Sequence, residues 1–212
     1  MYQNVKKGLD QLWLSQVLEI VVAVAGVLTT IFAAAAVVLI FVSGGLATLT
    51  AALAGIFGVI TAIGAIAAFV LGLLGILSAS QDEPSYKNAL VWLVIGIVAS
   101  LLSSLVSGKD KFIWKLLNAI FTAANGFASF MVVYTVLNST VTVANAIGNF
   151  NIASEGMAKA ELFKKLYIIA IILCFVGFIP VIGGICALVG AVMELVIFFM
   201  YLGFLGKAKM MV

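Results

Sequence analysis

Two acidic residues lie inside or beside long apolar runs, where an ionised carboxyl group is energetically unfavourable. Glu194 lies near the middle of the run 181–205, and Glu19 lies near the start of the first run. If these runs cross a bilayer, an ionised carboxylate facing lipid costs about 2.5–3.5 kcal/mol or more at mid-depth. We expect Glu194 to face other helices, in a structural hydrogen bond or in a transport or proton-relay role. We expect Glu19 to reach headgroups, Lys6 or Lys7.

A stripe of polar side chains occurs in the fourth apolar run. Its members recur after four, three and four residues, and so share one helix face: Asn118, Thr122, Asn125 and Ser129. Such a face either lines a water-filled path or joins helices through hydrogen bonds of about 0.6–2 kcal/mol each. Joining helices is the commoner role of such a polar face. These four residues, Glu194 and Glu19 form the candidate intramembrane polar site.

Missing residue types exclude most enzyme chemistry. The sequence has no histidine and no arginine. This excludes His-based metal sites, Ser–His and Cys–His nucleophile pairs, and bidentate phosphate clamps. The remaining acids show no spacing typical of a metal site. We therefore expect a non-enzyme with no catalytic, metal or cofactor residues.

Composition defines the class. No charged side chain occurs between Ile20 and Gln81, and 65% of the 212 residues are hydrophobic while 9% are charged. A helix crosses the hydrocarbon core with about 20 apolar residues, so this stretch alone crosses twice. The net charge of +3 comes from lysines that anchor helix ends, and it does not indicate nucleic acid. The sequence predicts an all-α, polytopic transmembrane helical bundle, as a single membrane domain of residues 1–212.

Turn signals divide this domain into about six spans, predicted at residues 14–42, 47–77, 89–106, 112–137, 162–179 and 181–205. Residues 138–161 form a polar connection, predicted to be interfacial or partly inserted. Before the first span, Val5, Leu9 and Leu12 recur at helical spacing. This indicates either an amphipathic helix on the membrane surface or an extension of the first span.

Small residues at helical spacing predict the faces through which the spans pack. The predicted faces are Glu19, Ala23, Gly26, Thr30 and Ala33; Gly64, Ala68, Gly72 and Gly75; Gly96, Ser100, Ser103 and Ser107; and Gly183, Ala187, Gly190 and Glu194. The two cysteines, Cys174 and Cys186, are expected to be apolar filler, with a disulfide across the last hairpin as the alternative.

Two segments carry resemblances. The opening KGLDQLWLSQ (residues 7–16) and the loop QDEPSYKNA (residues 81–89) resemble small, uncharacterised multi-span proteins of bacterial membranes. The closing hairpin, from FIPVIGG (178–184) to LGK (205–207), is similar to the end of Yip1-type proteins, although their Asp-Leu-Tyr-Gly-Pro motif is absent. The resemblance implies a non-enzymatic role in membrane organisation and transfers no functional residue.

The leading hypothesis is a non-catalytic protein of membrane organisation, assembly or partner and lipid interaction. Its expected partners are membrane lipid and membrane proteins or further copies of the chain, with no nucleic acid. The alternative is a small transporter or channel, with Glu194 and the stripe of the fourth span lining its path.

Lysine placement predicts the orientation. With the N-terminus inside, eight lysines are cytoplasmic and three are outside, which favours cytoplasmic termini in a bacterial cytoplasmic membrane. Single cysteines at Asn4, Ser85 and Lys209, in a chain lacking Cys174 and Cys186, should therefore resist membrane-impermeant thiol reagents in intact cells. Labelling of any of the three from outside would contradict this topology.

Overall fold

The protein is built from helices. The computed structural model describes residues 2–41, 43–109, 111–176 and 180–211, with backbone alone for 112, 174–176, 180–185 and 187. The described residues contain no strand. They form a short 3-10 turn, Pro84–Tyr86, and six helices: α1 (Gln3–Leu39), α2 (Gly44–Asp82), α3 (Lys87–Val106), α4 (Phe112–Ala146), α5 (Phe150–Val176) and α6 (Pro180–Ala208). The predicted all-α class is confirmed.

Within the described residues, five helical segments are long and apolar enough to cross a membrane: Gln3–Leu39, Gly44–Asp82, Pro84–Val106, Ile113–Ala146 and Leu188–Ala208. The protein is thus a membrane-embedded helical bundle. The helix α5 is not among the five, because charged residues occupy its first half. The predicted fifth span, 162–179, coincides with the second half of α5, and its residues 177–179 lie outside the described part of the chain.

The chain divides into two compact units, one of residues 10–75 and the other of residues 1–9 and 76–212. The first unit is a hairpin of α1 and α2, which pack where small residues permit close approach. A Cβ added at Gly64 would lie 2.8 Å from the Val22 side chain, and one at Gly72 would lie 3.2 Å from the Ser15 hydroxyl. The Ser15 hydroxyl donates to the carbonyl of buried Ala68 at 2.7 Å. The predicted α2 face is correct.

The face predicted for α1 is only partly correct: Gly26 faces α2, where an added Cβ would lie 3.9 Å from the Thr61 side chain, but the other predicted residues do not pack there. Glu19, Ala23 and Thr30 are exposed. The side that packs within the hairpin is instead lined by Ser15, Val22, Ala25, Thr29, Phe32 and Ala36. Both sets repeat at helical spacing. Stacking of the Phe32 and Phe57 rings, with centroids 5.6 Å apart, favours the observed face.

The second unit concentrates its core at one end. Most of its largest fully buried side chains lie near the start of α1, the turn before α3 and the later turns of α2, α4 and α6, with Phe163 midway along α5. They include Tyr86, Phe163, Phe204, Leu9 and Ile76. The N-terminal residues are part of this core: α1 is continuous from Gln3, and Val5 and Leu9 are fully buried. The extension of the first span is therefore observed, and the surface helix on lipid is wrong because protein covers its apolar face.

The polar connection predicted at 138–161 is a helical hairpin, formed by the end of α4 and the start of α5. Its interfacial or partly inserted position stays a prediction. The helix α4 continues to Ala146, and Gly148 makes the turn with φ +76°, a conformation that glycine adopts without strain. The Asn149 amide donates to the Ala144 carbonyl at 2.8 Å, and its side chain accepts from the Ile152 amide at 3.3 Å, capping α5.

Three helices meet at Gly156 of α5. A Cβ there would lie 2.5 Å from Val141 of α4 and 3.1 Å from the Phe204 ring of α6. The start of α5 and the end of α6 are therefore neighbours, and these two helices form an antiparallel pair. The same end of this unit contains Asn4, which bonds to Asp82. The described start and end of the chain thus lie at one end of the unit.

The last span departs from its predicted packing face. A Cβ added at Gly190 would meet open space. For Gly183 and Ala187 of that face, only the backbone is described. Cys186 is a buried free thiol, which fits the filler role, and the Cys174 side chain lies outside the described part.

The contacts between α1 and α2 predict different effects of substitution at two glycines of α2. We expect Gly72→Leu to lower the free energy of unfolding in detergent by about 1–3 kcal/mol, because the added side chain collides with Ser15. The matched control is Gly55→Leu on the same helix, where an added Cβ meets nothing within 4 Å. Thermal unfolding of both purified variants measures the difference, and equal loss at both sites would mean that the α1–α2 contact is misassigned.

Candidate functional site

The polar stripe of α4 begins as a helix contact. The Ser103 hydroxyl of α3 donates to the Asn118 side-chain carbonyl at 2.7 Å and lies 3.3 Å from the Thr122 hydroxyl. Hydroxyl and amide pairs of this kind hold membrane helices together where lipid supplies no hydrogen-bonding partner. The first half of the stripe therefore joins α3 to α4.

The second half of the stripe has a different surrounding. A Cβ added at Gly96 of α3 would lie 3.4 Å from the Asn125 side-chain oxygen and 3.3 Å from the methyl group of Ala128. Asn125 thus lies at the closest approach of α3 and α4. Ser129 is exposed and donates to the carbonyl of Asn125 at 3.0 Å, within its own helix. On the α3 side, the predicted residues Gly96 and Ser103 make these contacts, while Ser100 and Ser107 are exposed.

The two acids of the candidate site are exposed on separate helices. Glu19 of α1 accepts a hydrogen bond from Gln16 at 3.1 Å, one turn earlier on the helix. Glu194 of α6 is exposed, so the expectation that the chain's own helices surround it is wrong. The carboxyl of Glu194 lies among exposed apolar side chains of α6, including Val192, Leu195 and Val196.

A third acid, Asp82 at the end of α2, contacts the start of α1. Its carboxylate accepts from the backbone amides of Asn4 and Val5 at 2.7 and 3.1 Å, and from the Asn4 side chain at 2.9 Å. The first amides of a helix have no partner within it, and a carboxylate there also complements the helix dipole. Asp82 therefore fixes the start of α1 against the end of α2.

A groove of about 420 Å³ opens between the Pro84–Tyr86 turn, α3 and α4. It has a polar end of hydroxyl and amide groups and an apolar end, and we call it the Ser85 groove. Its polar end consists of Ser85, Asn88, Thr135, Asn138, Ser139 and Thr142, and its apolar end of Val91, Trp92, Met131 and Tyr134. Among the described side chains, the Ser85 hydroxyl is a buried oxygen with no hydrogen-bond partner.

A buried hydrogen bond supports the wall of this groove. The Tyr86 and Thr140 hydroxyls are 2.7 Å apart, both residues are fully buried, and Thr140 also donates to the Val136 carbonyl at 2.7 Å. Ser85 and Ser139 precede these two residues in the chain and line the groove. Aromatic rings continue from the apolar end: Trp92 packs on Phe127, and Tyr134 on Phe130, with centroids 5.3 and 5.7 Å apart.

An ion cluster joins α5 to α6. Lys159 and Lys207 bind the Glu155 carboxylate at 2.8 and 2.9 Å, and Lys159 also donates to the Met200 carbonyl at 3.1 Å. The hydrogen bonds from Lys159 and then Lys207 hold the pKa of Glu155 below its usual value. The cluster lies at the same end of the unit as the helix contact around Gly156.

Sequence reasoning missed both the Ser85 groove and the Asp82 cap. Ser139 and Thr142 line the groove together with Ser85, which lies more than 50 residues earlier in the chain, and only the fold brings them together. Within the described residues, no group of three or more His, Cys, Asp or Glu side chains could hold a metal ion. No protein-family model, curated protein or solved structure matches this chain.

The ion cluster makes stability depend on pH. Because the pKa of Glu155 is lowered by folding, its contribution is present above the usual value of 4.5 and is lost as the pH falls through the folded value. We expect Glu155→Gln to lower the unfolding midpoint at pH 7, with the difference from the unaltered protein shrinking below pH 4.5. Thermal unfolding across pH 3–7 measures this. The exposed Glu161→Gln on the same helix is the control, and a pH-independent difference would exclude the ionic contribution.

Proposed function

We propose that this chain is a non-catalytic integral membrane protein that acts in membrane organisation or assembly, through lateral contacts with other membrane helices and with lipid. The observation that carries the proposal is the exposure of its spans. Only 11–17% of the residues in the most apolar stretch of each of the five spanning segments are buried within the chain. A bundle that leaves this much helix surface uncovered offers it to neighbours.

Glu194 supports protein contact on α6 in particular. Its carboxyl is exposed in a segment that is otherwise apolar, and leaving it against lipid is costly. A partner helix, from a second copy or another protein, would supply the missing hydrogen bond. Gly190 lies one turn earlier, and the space beside it admits a neighbouring backbone. Counting α5 as a sixth crossing, we place both termini on the cytoplasmic side of a bacterial cytoplasmic membrane, on the lysine count.

The polar stripe gives little support to the transporter alternative. Asn118 and Thr122 are engaged with Ser103 of α3, and Asn125 lies at the contact with Gly96. These groups therefore join helices in the described structure. A path for ions normally uses rings of carbonyl or charged groups facing water.

A substitution series at Glu194 tests the proposal. In mild detergent, native mass spectrometry should show the extracted protein with bound protein partners or further copies. Glu194→Gln should keep this assembly, because an amide still forms hydrogen bonds. Glu194→Leu should weaken it roughly three- to thirtyfold, as expected for one lost interhelical polar contact. The control is Val196→Leu, a change to the same residue at an exposed neighbouring position.

Two results would contradict the proposal. One is an extracted chain that is monomeric and free of protein partners, with Glu194→Leu indistinguishable from the unaltered protein. The other is a well-folded Glu194→Gln variant that loses a pH-dependent flux measured in reconstituted vesicles, which would favour the transporter. A harmless Glu194→Lys would show that the side chain reaches headgroups or water.

A further inference from the structure

The Ser85 groove has the division of chemistry that an amphipathic molecule requires. Its polar end lies at the start of α3 and the last turns of α4, and its apolar end lies farther into both spans. Val91 at that end is exposed, and the apolar outer surface of α3 continues from it through Val94 and Ile95. Trp92 marks the depth at which aromatic rings meet headgroups. A molecule bound here would have its polar part in the groove and its chains beside α3.

An unfilled hydrogen-bonding site lies at the polar end. The Ser85 hydroxyl is shielded from solvent and has no partner. Leaving such a group unpaired costs about 1–3 kcal/mol. Other groove hydroxyls show the contrast: Thr142 donates to the Asn138 carbonyl of its own helix at 3.1 Å. A ligand hydroxyl could both donate to and accept from Ser85.

Charge selects among headgroups. All ten residues that line the groove are uncharged. The Glu83 carboxylate accepts from the Ser85 backbone amide at 3.1 Å, so a fixed negative charge stands beside the polar end. The Glu83 charge disfavours a phosphate beside Ser85, while Lys87 at the start of α3 is an exposed positive charge on the same segment. The uncharged lining itself favours hydroxyl groups, and comparison of lipid headgroups tests this preference.

We propose that the Ser85 groove binds one membrane lipid with an uncharged, hydroxyl-bearing headgroup, of the diacylglycerol or glycosyl-diacylglycerol class. Rotation of the Ser85 side chain turns its shielded hydroxyl toward the groove, where it bonds to the headgroup hydroxyl beside the amides of Asn88 and Asn138. The groove volume of about 420 Å³ lies in the range of small-ligand sites, about 300–1,000 Å³. This inference rests on the proposed function and deepens it, because it names a lipid partner and its binding site.

The test uses the full chain in detergent, with Trp13→Phe and Trp114→Phe so that Trp92 alone reports from the groove. Diacylglycerol brominated on its upper acyl carbons should quench Trp92 fluorescence saturably. Ser85→Ala should weaken this binding roughly three- to tenfold, the loss of one hydrogen bond. The matched control is Ser104→Ala near the far end of α3, whose exposed hydroxyl donates to the Leu101 carbonyl. Phosphatidylglycerol and phosphatidylcholine with the same chains should bind more weakly than diacylglycerol.

A stability measurement separates binding from folding. Because Ser85→Ala removes a buried hydroxyl without a partner, its unfolding midpoint without lipid should equal or exceed that of the unaltered protein. Its stabilisation by added diacylglycerol should be smaller. Native mass spectrometry of the chain with all three tryptophans provides a second count of bound lipid.

Equal quenching by all three lipids, or unchanged binding in Ser85→Ala, would overturn the site and indicate ordinary bilayer lipid around the helices. A lower lipid-free midpoint in Ser85→Ala would also overturn it, since Ser85 would then serve the fold. These results concern α3 and α4. The assembly experiment concerns Glu194 on α6, so failure of the groove and failure of the proposed function are distinguishable.

Discussion

The hydrogen bond between Tyr86 and Thr140 is the contact on which the end of the larger unit depends. The two hydroxyl oxygens are 2.7 Å apart, and both residues are fully buried. The bond joins the turn after α2 to the last part of α4. Without it, a buried phenol would lack a partner at a cost of about 1–3 kcal/mol. The bond also places Ser85 and Ser139, the chain neighbours of these residues, on the wall of one groove. The candidate binding site is therefore a consequence of the packing beneath it.

Two kinds of packing hold the molecule together. Along the apolar spans, helices approach through small residues such as Gly64 and Gly96, because lipid offers no hydrophobic gain for bringing apolar helices together. At the helix ends, large side chains including Tyr86 and Phe204 are fully buried, as in a water-soluble core. Ionic contacts occur there too, in the cluster around Glu155. The end of the unit can thus hold a defined groove while the spans remain open to neighbours.

Polar groups in the spans fall into two sets by what surrounds them. Asn118 and Ser103 satisfy each other across the α3–α4 contact. Glu194 does not lie at a contact between helices of the chain, because it is exposed on α6. The first set stabilises the chain itself, and we propose that the second is met by a neighbour in the membrane. This contrast is the physical basis for proposing a protein that acts through association, and it separates that role from the lipid contact at the groove.

The sequence by itself determined the membrane class, the all-α architecture and the close face of α2, since length, apolarity and small-residue spacing follow directly from the bilayer and from backbone approach. It also contained the stripe that joins α4 to α3. Only the tertiary structure decided which side of α1 is buried, because two faces share the same spacing and aromatic stacking of Phe32 with Phe57 favours one. It turned the predicted connection 138–161 into a helical hairpin, because Val141 and Gly156 pack across it. Contacts between residues far apart in the chain, such as Asn4 with Asp82, have no local signal, and neither does the exposure of Glu194.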